Sequence, residues 1–566
     1  MNNLIVFFVV IPLIGAAACL FEKFFPHLPI AKTAGILSLL ACIILLIILL
    51  PAVLESGQLV YTVGGWNATI GIQQWFDGLS WMSFALVLFV ALMTLLYAIA
   101  EGKYDYVFYF VFLVMLAGTA GGLLAADLFN LFVCFEIMGI ASYILIAYFP
   151  KGHAVMGSFQ YLLLSSLGMV FFLIGIFILY QHTGTLAIIP MSRLLENAQP
   201  RSPQISIAVS ALIAGLGVRT AFFRFHTWLP DAHAYAPHPV SAILSGILLK
   251  ISFLTIWRFI HVFHMQSLQV LLLWLGALTA VLGVMWALVQ TDCKKLLAWH
   301  SISQMGYILA GFGTGTPLGL TASFLHVINH GVFKSLLFLS VGSVIEATGK
   351  RNVKHLGALA GKLPVLAIVF FAGALSIAGI PPFNGFVSKK LLFLSVKNSP
   401  ILYYALWLAG IGTIASFIKL SAIFRPHAGL HAGSVHIQRP VPRFAYVPLS
   451  IMAGFCLFSG IFGPSLTAAV SSFLLGTPVV LKYPLYSFVN LGNTALAVGL
   501  GIGLYAAVMQ PAVQRMTTRM RHMRVSLNSA LLWLVLGFIG LAAASIYNHS
   551  AIPRVSLLMK WFQRIF

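Results

Sequence analysis

Of the eleven acidic residues, only Glu136 lies in the middle of an apolar run, Leu128 to Tyr143; the other ten fall in loops or at the ends of such runs. A lone carboxylate in hydrocarbon costs at least ~2.5 kcal/mol, so Glu136 needs a cationic partner or a proton. Eight basic residues lie within or at the edge of apolar runs: Arg219, Arg224, Lys250, Arg258, Lys334, Lys389, Lys390 and Lys419. Arg258 and Lys419 stand near run ends, where a long side chain can snorkel to the interface. Lys250 and Lys334 have no such exit. A desolvated lysine amine can give up its proton and take it back, which is what a proton relay requires.

His326, His330 and Lys334 follow one another at four-residue intervals. On a helix they share one face, drifting only ~40° per step. Three titratable groups on one stripe read as a relay; the competing reading is a set of static ion pairs and satisfied core histidines. His300 joins the group. No carboxylate or cysteine lies close to it in sequence and lysine is a poor ligand, so no metal site is expected. His427, His431 and His436 sit in a Gly/Pro-containing connector and read as loop histidines. His226 and the Asp231-Ala-His233 triplet lack an accompanying Ser or Cys nucleophile motif, which speaks against hydrolysis. The five cysteines, Cys19, Cys42, Cys134, Cys293 and Cys456, are isolated, so neither an iron–sulfur centre nor any other cofactor is expected.

The elements that must position these groups are membrane helices. The chain has 566 residues, is 60% hydrophobic and 8% charged, and has a mean hydropathy of +1.00. An all-α polytopic helix bundle of about 14–16 spans follows. The apolar runs cover 4–21, 30–53, 79–100, 106–126, 128–149, 158–181, 204–224, 240–263, 268–290, 295–313, 320–345, 364–397, 401–424, 445–465, 489–509 and 528–547. The first has no basic segment before it and reads as a retained helix, not a cleaved signal. Residues 54–78, with Trp66 and Trp75, read as an outside loop. The net charge of +21 is dispersed over short loops, which excludes a nucleic-acid interface and carries topology instead. One set of alternate loops holds 17 Lys and Arg, and the other set with the tail, from Arg193 and Arg201 to Lys482, Arg554, Lys560 and Arg564, holds 7. Both termini are expected outside the cytoplasm of a bacterial-type inner membrane. The basic stretch 510–526 reads as a topological anchor.

An internal repeat organises the chain. Ser142-Tyr-Ile-Leu-Ile-Ala-Tyr148 lines up with Gly306-Tyr-Ile-Leu-Ala-Gly-Phe312 at an offset of 164 residues, which also places His300 opposite Glu136. Four segments result: 1–105, a first five-helix unit over 106–263, a second over 268–424, and 425–566. An odd helix count predicts inverted units with the working site near the midplane. Gly215-Leu-Gly217 with Trp228-Leu-Pro-Asp231, and Gly379-Ile-Pro-Pro382 with Gly385, occupy corresponding places and predict that the seventh and twelfth spans are broken around a hydrated cavity; the alternative is a packing kink.

The stretch Gly217-Val-Arg-Thr-Ala-Phe-Phe-Arg-Phe-His-Thr-Trp-Leu-Pro-Asp-Ala-His233, followed by Ala236-Pro-His-Pro-Val-Ser-Ala-Ile-Leu-Ser-Gly246, resembles the signature of antiporter-like membrane subunits. That family is shared by respiratory complex I, energy-converting hydrogenases, formate hydrogenlyase and multisubunit Mrp-type cation/proton antiporters, whose D-type component is the nearest pattern. Phe135-Glu-Ile-Met138, the run Asp292 to Gly306, His326 to Lys334, and Gly379 to Lys389 add to the resemblance, which spans about 60–425. It implies a proton pathway over Glu136, Lys250, His326, His330, Lys334 and Lys389; the reading of the residues adds Arg219 and His300 to that pathway, and Arg224, His226, Asp231, His233 and Lys390 as secondary candidates. Other membrane subunits would be the partners, with protons or Na+ as the ion, in a translocase subunit with no redox centre of its own. The chain departs from the pattern at Arg219, where the family has lysine, and at Arg224, where a proline is usual. Arginine stays protonated up to ~12 and above, so Arg219 can pair with Glu136 but cannot readily exchange a proton. Either it is a fixed counter-charge or the first half-channel is silent. Two further readings stand beside proton translocation: a non-redox Na+/H+ antiporter subunit, and a membrane scaffold or inorganic-carbon-uptake partner in which the charges only lock helices together.

Overall fold

The computed structural model describes residues 2–67, 71–197, 202–426, 435–479, 484–522 and 526–550. Arg201, His427, His431, Lys482, Arg524, Arg554, Lys560 and Arg564 lie outside them, as do the side chains of Arg519 and Arg521. Among the described residues, fourteen helices are long and apolar enough to cross a membrane. Helix is what hydrocarbon demands, because each backbone amide must find its acceptor within its own segment.

Helices α1 (Phe7–Leu20), α2 (Ile30–Ser56) and α3 (Gly78–Glu101) come first. Between α2 and α3 the expected loop contains a hairpin, β1 (Gln58–Thr62) against β2 (Gln73–Asp77), with Gln58 opposite Asp77. Next come α4 (Tyr106–Leu124), α5 (Leu128–Ile146), α6 (Gly152–Thr183), the short α7 (Ile188–Asn197), α8 (Pro203–Thr220) and α9 (Leu229–Tyr235). One span then combines α10 (His238–Ile243), a π turn over Leu244–Leu248, and α11 (Leu249–Val262). A second series follows: α12 (Gln266–Val289), α13 (Cys293–Gly313), α14 (Pro317–Thr348), α15 (Pro364–Ala378), α16 (Asn384–Ser395) and α17 (Pro400–Leu420). The first residues of the main helices in the two series, 106, 128, 152, 203 and 238 against 266, 293, 317, 364 and 400, are spaced close to the sequence offset. The chain ends in α18 (Tyr446–Ile461), α19 (Gly463–Leu475), α20 (Phe488–Val508), α21 (Pro511–His522) and α22 (Leu527–Ser550).

Aspartates that the sequence places between runs start several of these helices. Asp77 accepts from Ser80 N at 2.8 Å, Asp127 from Asn130 N at 2.7 Å and Asp292 from Lys294 N at 2.9 Å, each satisfying an amide that the first turn leaves unpaired. Asp127 and Asp292 hold matching places at the starts of α5 and α13.

The run 364–397 is two helices. α15 stops at Gly379, whose φ of +76° suits a residue without a side chain, and α16 starts five residues later. α8 stops at Thr220, and the chain crosses residues 221–228 before α9, with Ala221 and Arg224 both in the left-handed region at φ +61° and +78°. Non-glycine residues hold such angles only where surrounding packing enforces them. Three helices, α10–α11, α13 and α14, are almost wholly enclosed by the others and carry most of the interior polar groups.

Arg258 does not snorkel. Its guanidinium bridges both carboxylate oxygens of Asp77, at 2.8 and 3.2 Å, and the Ser80 hydroxyl at 2.7 Å, tying α11 to the start of α3. Lys419 likewise turns inward, donating to the carbonyls of Leu288 and Gln290 at the end of α12.

Candidate functional site

Glu136 and Arg219 meet. The Arg219 guanidinium, fully enclosed, donates to Glu136 Oε1 at 2.9 Å and to the Phe135 carbonyl at 2.9 Å. Gly139, one turn after Glu136, makes the space: a Cβ there would stand 2.9 Å from Arg219 Nη2 and 2.9 Å from the Tyr143 hydroxyl. Glu136 is not in the bundle interior. Its side chain is 29% exposed, on the face of α5 where Val133, Ile137 and Ile140 also open outward.

The interior lysines are held differently. Lys250 donates to the carbonyl of Ser245, five residues back in its own span, across the π turn. A π turn widens the helix and takes a carbonyl out of the regular ladder, so an acceptor is available to the ammonium. Lys334 donates to the carbonyl of Leu297 on α13. Lys389 donates to the carbonyl of Ile377 at 2.6 Å, one of the carbonyls that the end of α15 leaves without an amide. All three side chains are buried, and none of them has a carboxylate partner among the described residues. An amine bonded to a neutral carbonyl keeps that bond as either NH3+ or NH2; a carboxylate partner would hold it charged.

The histidines stand between these amines. His326 bridges α14 to its neighbours, with Nδ1 2.8 Å from the Ser388 hydroxyl of α16 and Nε2 3.1 Å from Gln304 Oε1 of α13. The His330 ring is stacked at 6.0 Å from that of His326, and Lys250, Lys334 and Lys389 all lie near enough to bear on it electrostatically. His300, on α13, packs against Phe417. Neither ring nitrogen of His300 or His330 has a hydrogen-bond partner in the protein, although both residues are completely buried. Buried polar groups are rarely left so, and water is their usual partner.

The secondary candidates divide. Asp231 forms an ion pair with Lys295 at 2.7 Å on a partly exposed surface, and His226 accepts from the Arg224 amide at 3.0 Å; both shape the segment after α8. Arg224 faces outward, 4.0 Å over the Trp533 ring of α22. Lys390 lines a cleft with Lys389, Gly379, Asn493 and Thr494, between the break after α15 and helix α20. His233 is fully buried against Phe338.

Sequence reading misses one ionic cluster, formed by Glu101, Lys103, His238 and Glu346 from three helices and a loop. Its signal is present: Glu346 continues the four-residue spacing of His326, His330 and Lys334, which winds slowly round the helix.

Comparison with known proteins agrees with this architecture. Residues 125–419 match the family described as NADH:quinone oxidoreductase/Mrp antiporter, TM. The chain is 32% identical over 429 residues to the D-type component of a Na(+)/H(+) antiporter of Alkalihalophilus pseudofirmus, covering 74% of this chain and 86% of that one. It is 33% identical over 394 residues to an NADH-quinone oxidoreductase subunit N of Desulforudis audaxviator, covering 68% and 78%. Among solved structures, a chain of the Mrp complex from Dietzia sp. superposes with a TM-score of 0.75 at 23% identity, over 94% of this chain and 99% of that one. A chain of the archaeal membrane-bound sulfane sulfur reductase gives 0.76 at 23% identity, over 88% and 100%. By its matched span, and by its identity to relatives over more than two thirds of its length, this chain is a member of the NADH:quinone oxidoreductase/Mrp antiporter transmembrane family.

Proposed function

We propose that this chain is an antiporter-like subunit of a larger membrane complex and moves protons along Lys334, Lys250, His330, His326 and Lys389, with His300 beside them. The observation that carries this reading is that buried amines, bonded to carbonyls rather than carboxylates, stand among buried histidines across α11, α13, α14 and α16. Each such amine can change charge without breaking its bond to the carbonyl. The Glu136–Arg219 pair serves as a fixed electrostatic element at the surface of α5, where a neighbouring subunit would sense it. The two helix series act as inverted units, the breaks after α8 and α15 admit water, and both termini face away from the cytoplasm.

Coupling energy would come from partner subunits, because nothing in the pathway is a redox group. Replacing Lys250 or Lys389 by Ala should abolish proton translocation of the assembled complex while leaving its subunit composition intact. Full translocation by both variants would overturn the reading. Exchange of Na+ for H+ is the second reading, favoured by the identity to a Na(+)/H(+) antiporter component over 86% of that relative. Translocation that requires Na+ and reverses with its gradient would select it.

A further inference from the structure

Six residues spaced four apart wind round α14 in a shallow spiral, turning ~40° at each step: His326, His330, Lys334, Phe338, Gly342 and Glu346. The first three belong to the pathway proposed above. The last three lead away from it toward one end of the bundle. From Lys334 to Glu346 the helix climbs ~18 Å, more than half the thickness of a hydrocarbon core.

Charged groups from separate elements converge at that end. Lys103 Nζ stands 3.3 Å from Glu101 Oε1, at the end of α3, and 3.0 Å from Glu346 Oε2. His238 Nε2, at the start of α10, is 3.8 Å from the same Glu346 oxygen, and Arg439 Nη1 is 3.3 Å from the other. The Tyr104 hydroxyl donates to the second oxygen of Glu101 at 2.7 Å. Lys294 of α13 flanks the group, its ammonium donating to the Ala236 carbonyl at 2.6 Å. Two carboxylates and an imidazole have the make-up of a metal cluster, but the Lys103 ammonium already lies between the carboxylates and, with the Arg439 guanidinium, balances them. The set suits the exchange of protons.

A second observation directs it inward. His238 is buried, and its Nδ1 has no partner in the protein. Gly342 makes room for the ring: a Cβ there would stand 2.5 Å from the imidazole Cγ and 2.8 Å from Nδ1. Farther in, the Phe338 ring has His233 stacked on it at 4.9 Å and the Lys334 ammonium 5.2 Å from its centre. Both nitrogens of His233 are buried and without a protein hydrogen bond. Orphaned imidazoles at successive depths are costly unless water reaches them. A hydrated file from Glu346 past His238 and His233 to Lys334 would satisfy them all.

We propose that Glu346 and His238, with Glu101 and Lys103, form the loading site that feeds protons into the interior lysines. A proton from the aqueous end, drawn in by the ionised Glu346 carboxylate, binds His238 Nε2; the imidazole gives up its Nδ1 proton inward and returns to its first tautomer before the next transfer; water beside His233 would carry the released proton to the amine of Lys334 in its unprotonated form. Bonds to hydrogen are exchanged one for one and nothing is oxidised. This rests on the proton-transfer reading, and the test separates the two. The assembled complex in inverted membrane vesicles is assayed for proton translocation with His238→Gln, Glu346→Gln, Glu346→Asp, Gly342→Ala and Lys334→Ala. His238→Gln and Glu346→Gln should each slow translocation about tenfold or more. Glu346→Asp should recover at least half of the rate, with a shifted pH profile that a purely structural carboxylate would not produce. If Lys334→Ala abolishes translocation while His238→Gln and Glu346→Gln remain within twofold of the wild type, the loading site is wrong and the interior chain stands. If Lys334→Ala itself translocates normally, the proton reading falls first. Should Glu346→Gln fail to assemble, Gly342→Ala decides: it removes no charge and only displaces the imidazole, and the same loss is expected.

Discussion

The Arg219 guanidinium is completely enclosed, yet the Glu136 carboxylate it binds at 2.9 Å is open at the surface of α5. The cation is therefore held by the fold, and the anion is held by the cation. Replacing Glu136 by Gln should strand a buried charge and destabilise the protein by ~3–5 kcal/mol. The double replacement with Arg219→Gln should cost less than the sum of the single ones. Thermal unfolding of the detergent-solubilised protein, run as a double-mutant cycle, measures the coupling. Strict additivity would show that the two groups do not act as a pair.

Substitution of Arg219 by Lys restores the residue that the family pattern carries. If the arginine is a fixed counter-charge, Arg219→Lys should leave the translocation rate of the complex within about twofold. A rise of an order of magnitude would mean that the arginine silences a working half-channel.

Gly139→Ala places a methyl group against Arg219 Nη1 and Nη2 at 3.0 and 2.9 Å and against the Tyr143 hydroxyl. The guanidinium cannot retreat, since its other side is packed in the core. A loss of ~1–3 kcal/mol in the same unfolding assay is expected.

Lys389→Arg tests charge against proton exchange. Arginine keeps the positive charge and can donate to the Ile377 carbonyl, but it does not release its proton. Assembly should be normal and translocation should fall by roughly 100-fold. Wild-type rates would show that Lys389 acts only as a static charge.

Gly385→Ala probes the break between α15 and α16. A Cβ at Gly385 would overlap the Ser376 carbonyl oxygen, a backbone atom that cannot step aside. The variant should fail to accumulate in membranes, as read by immunoblot, even though the substitution adds a single methyl group.

Much of this is legible in the sequence because hydrocarbon penalises polarity so heavily. Lys250 and Lys334 stand out as charges without an exit, and the four-residue spacing of His326, His330 and Lys334 fixes their common face. Gly379 marks a helix end through its backbone freedom. The partners of those groups are not legible. Lys250 is bonded to a carbonyl exposed by a π turn, and no residue type signals a π turn. Glu136 reads as an interior carboxylate because its neighbours are apolar; those neighbours face outward with it, and hydropathy alone does not distinguish lipid-facing from core-facing positions. Arg258 lies near a span end, where snorkelling is the simple expectation, and only the fold brings Asp77 across 181 residues to meet it. Glu346 reads as a terminal residue; extending the stripe by three more steps finds it.

The carbonyl partners of Lys250, Lys334 and Lys389 also bear on how this chain can vary. A carboxylate partner can be lost, moved or swapped by a single codon change, and compensating pairs then leave a trace across homologues. A backbone oxygen has no codon. Loss of any of these three lysines should thus find no suppressor at a partner side chain, and selection for revertants should return the lysine itself or a new amine approaching the same oxygen from another helix.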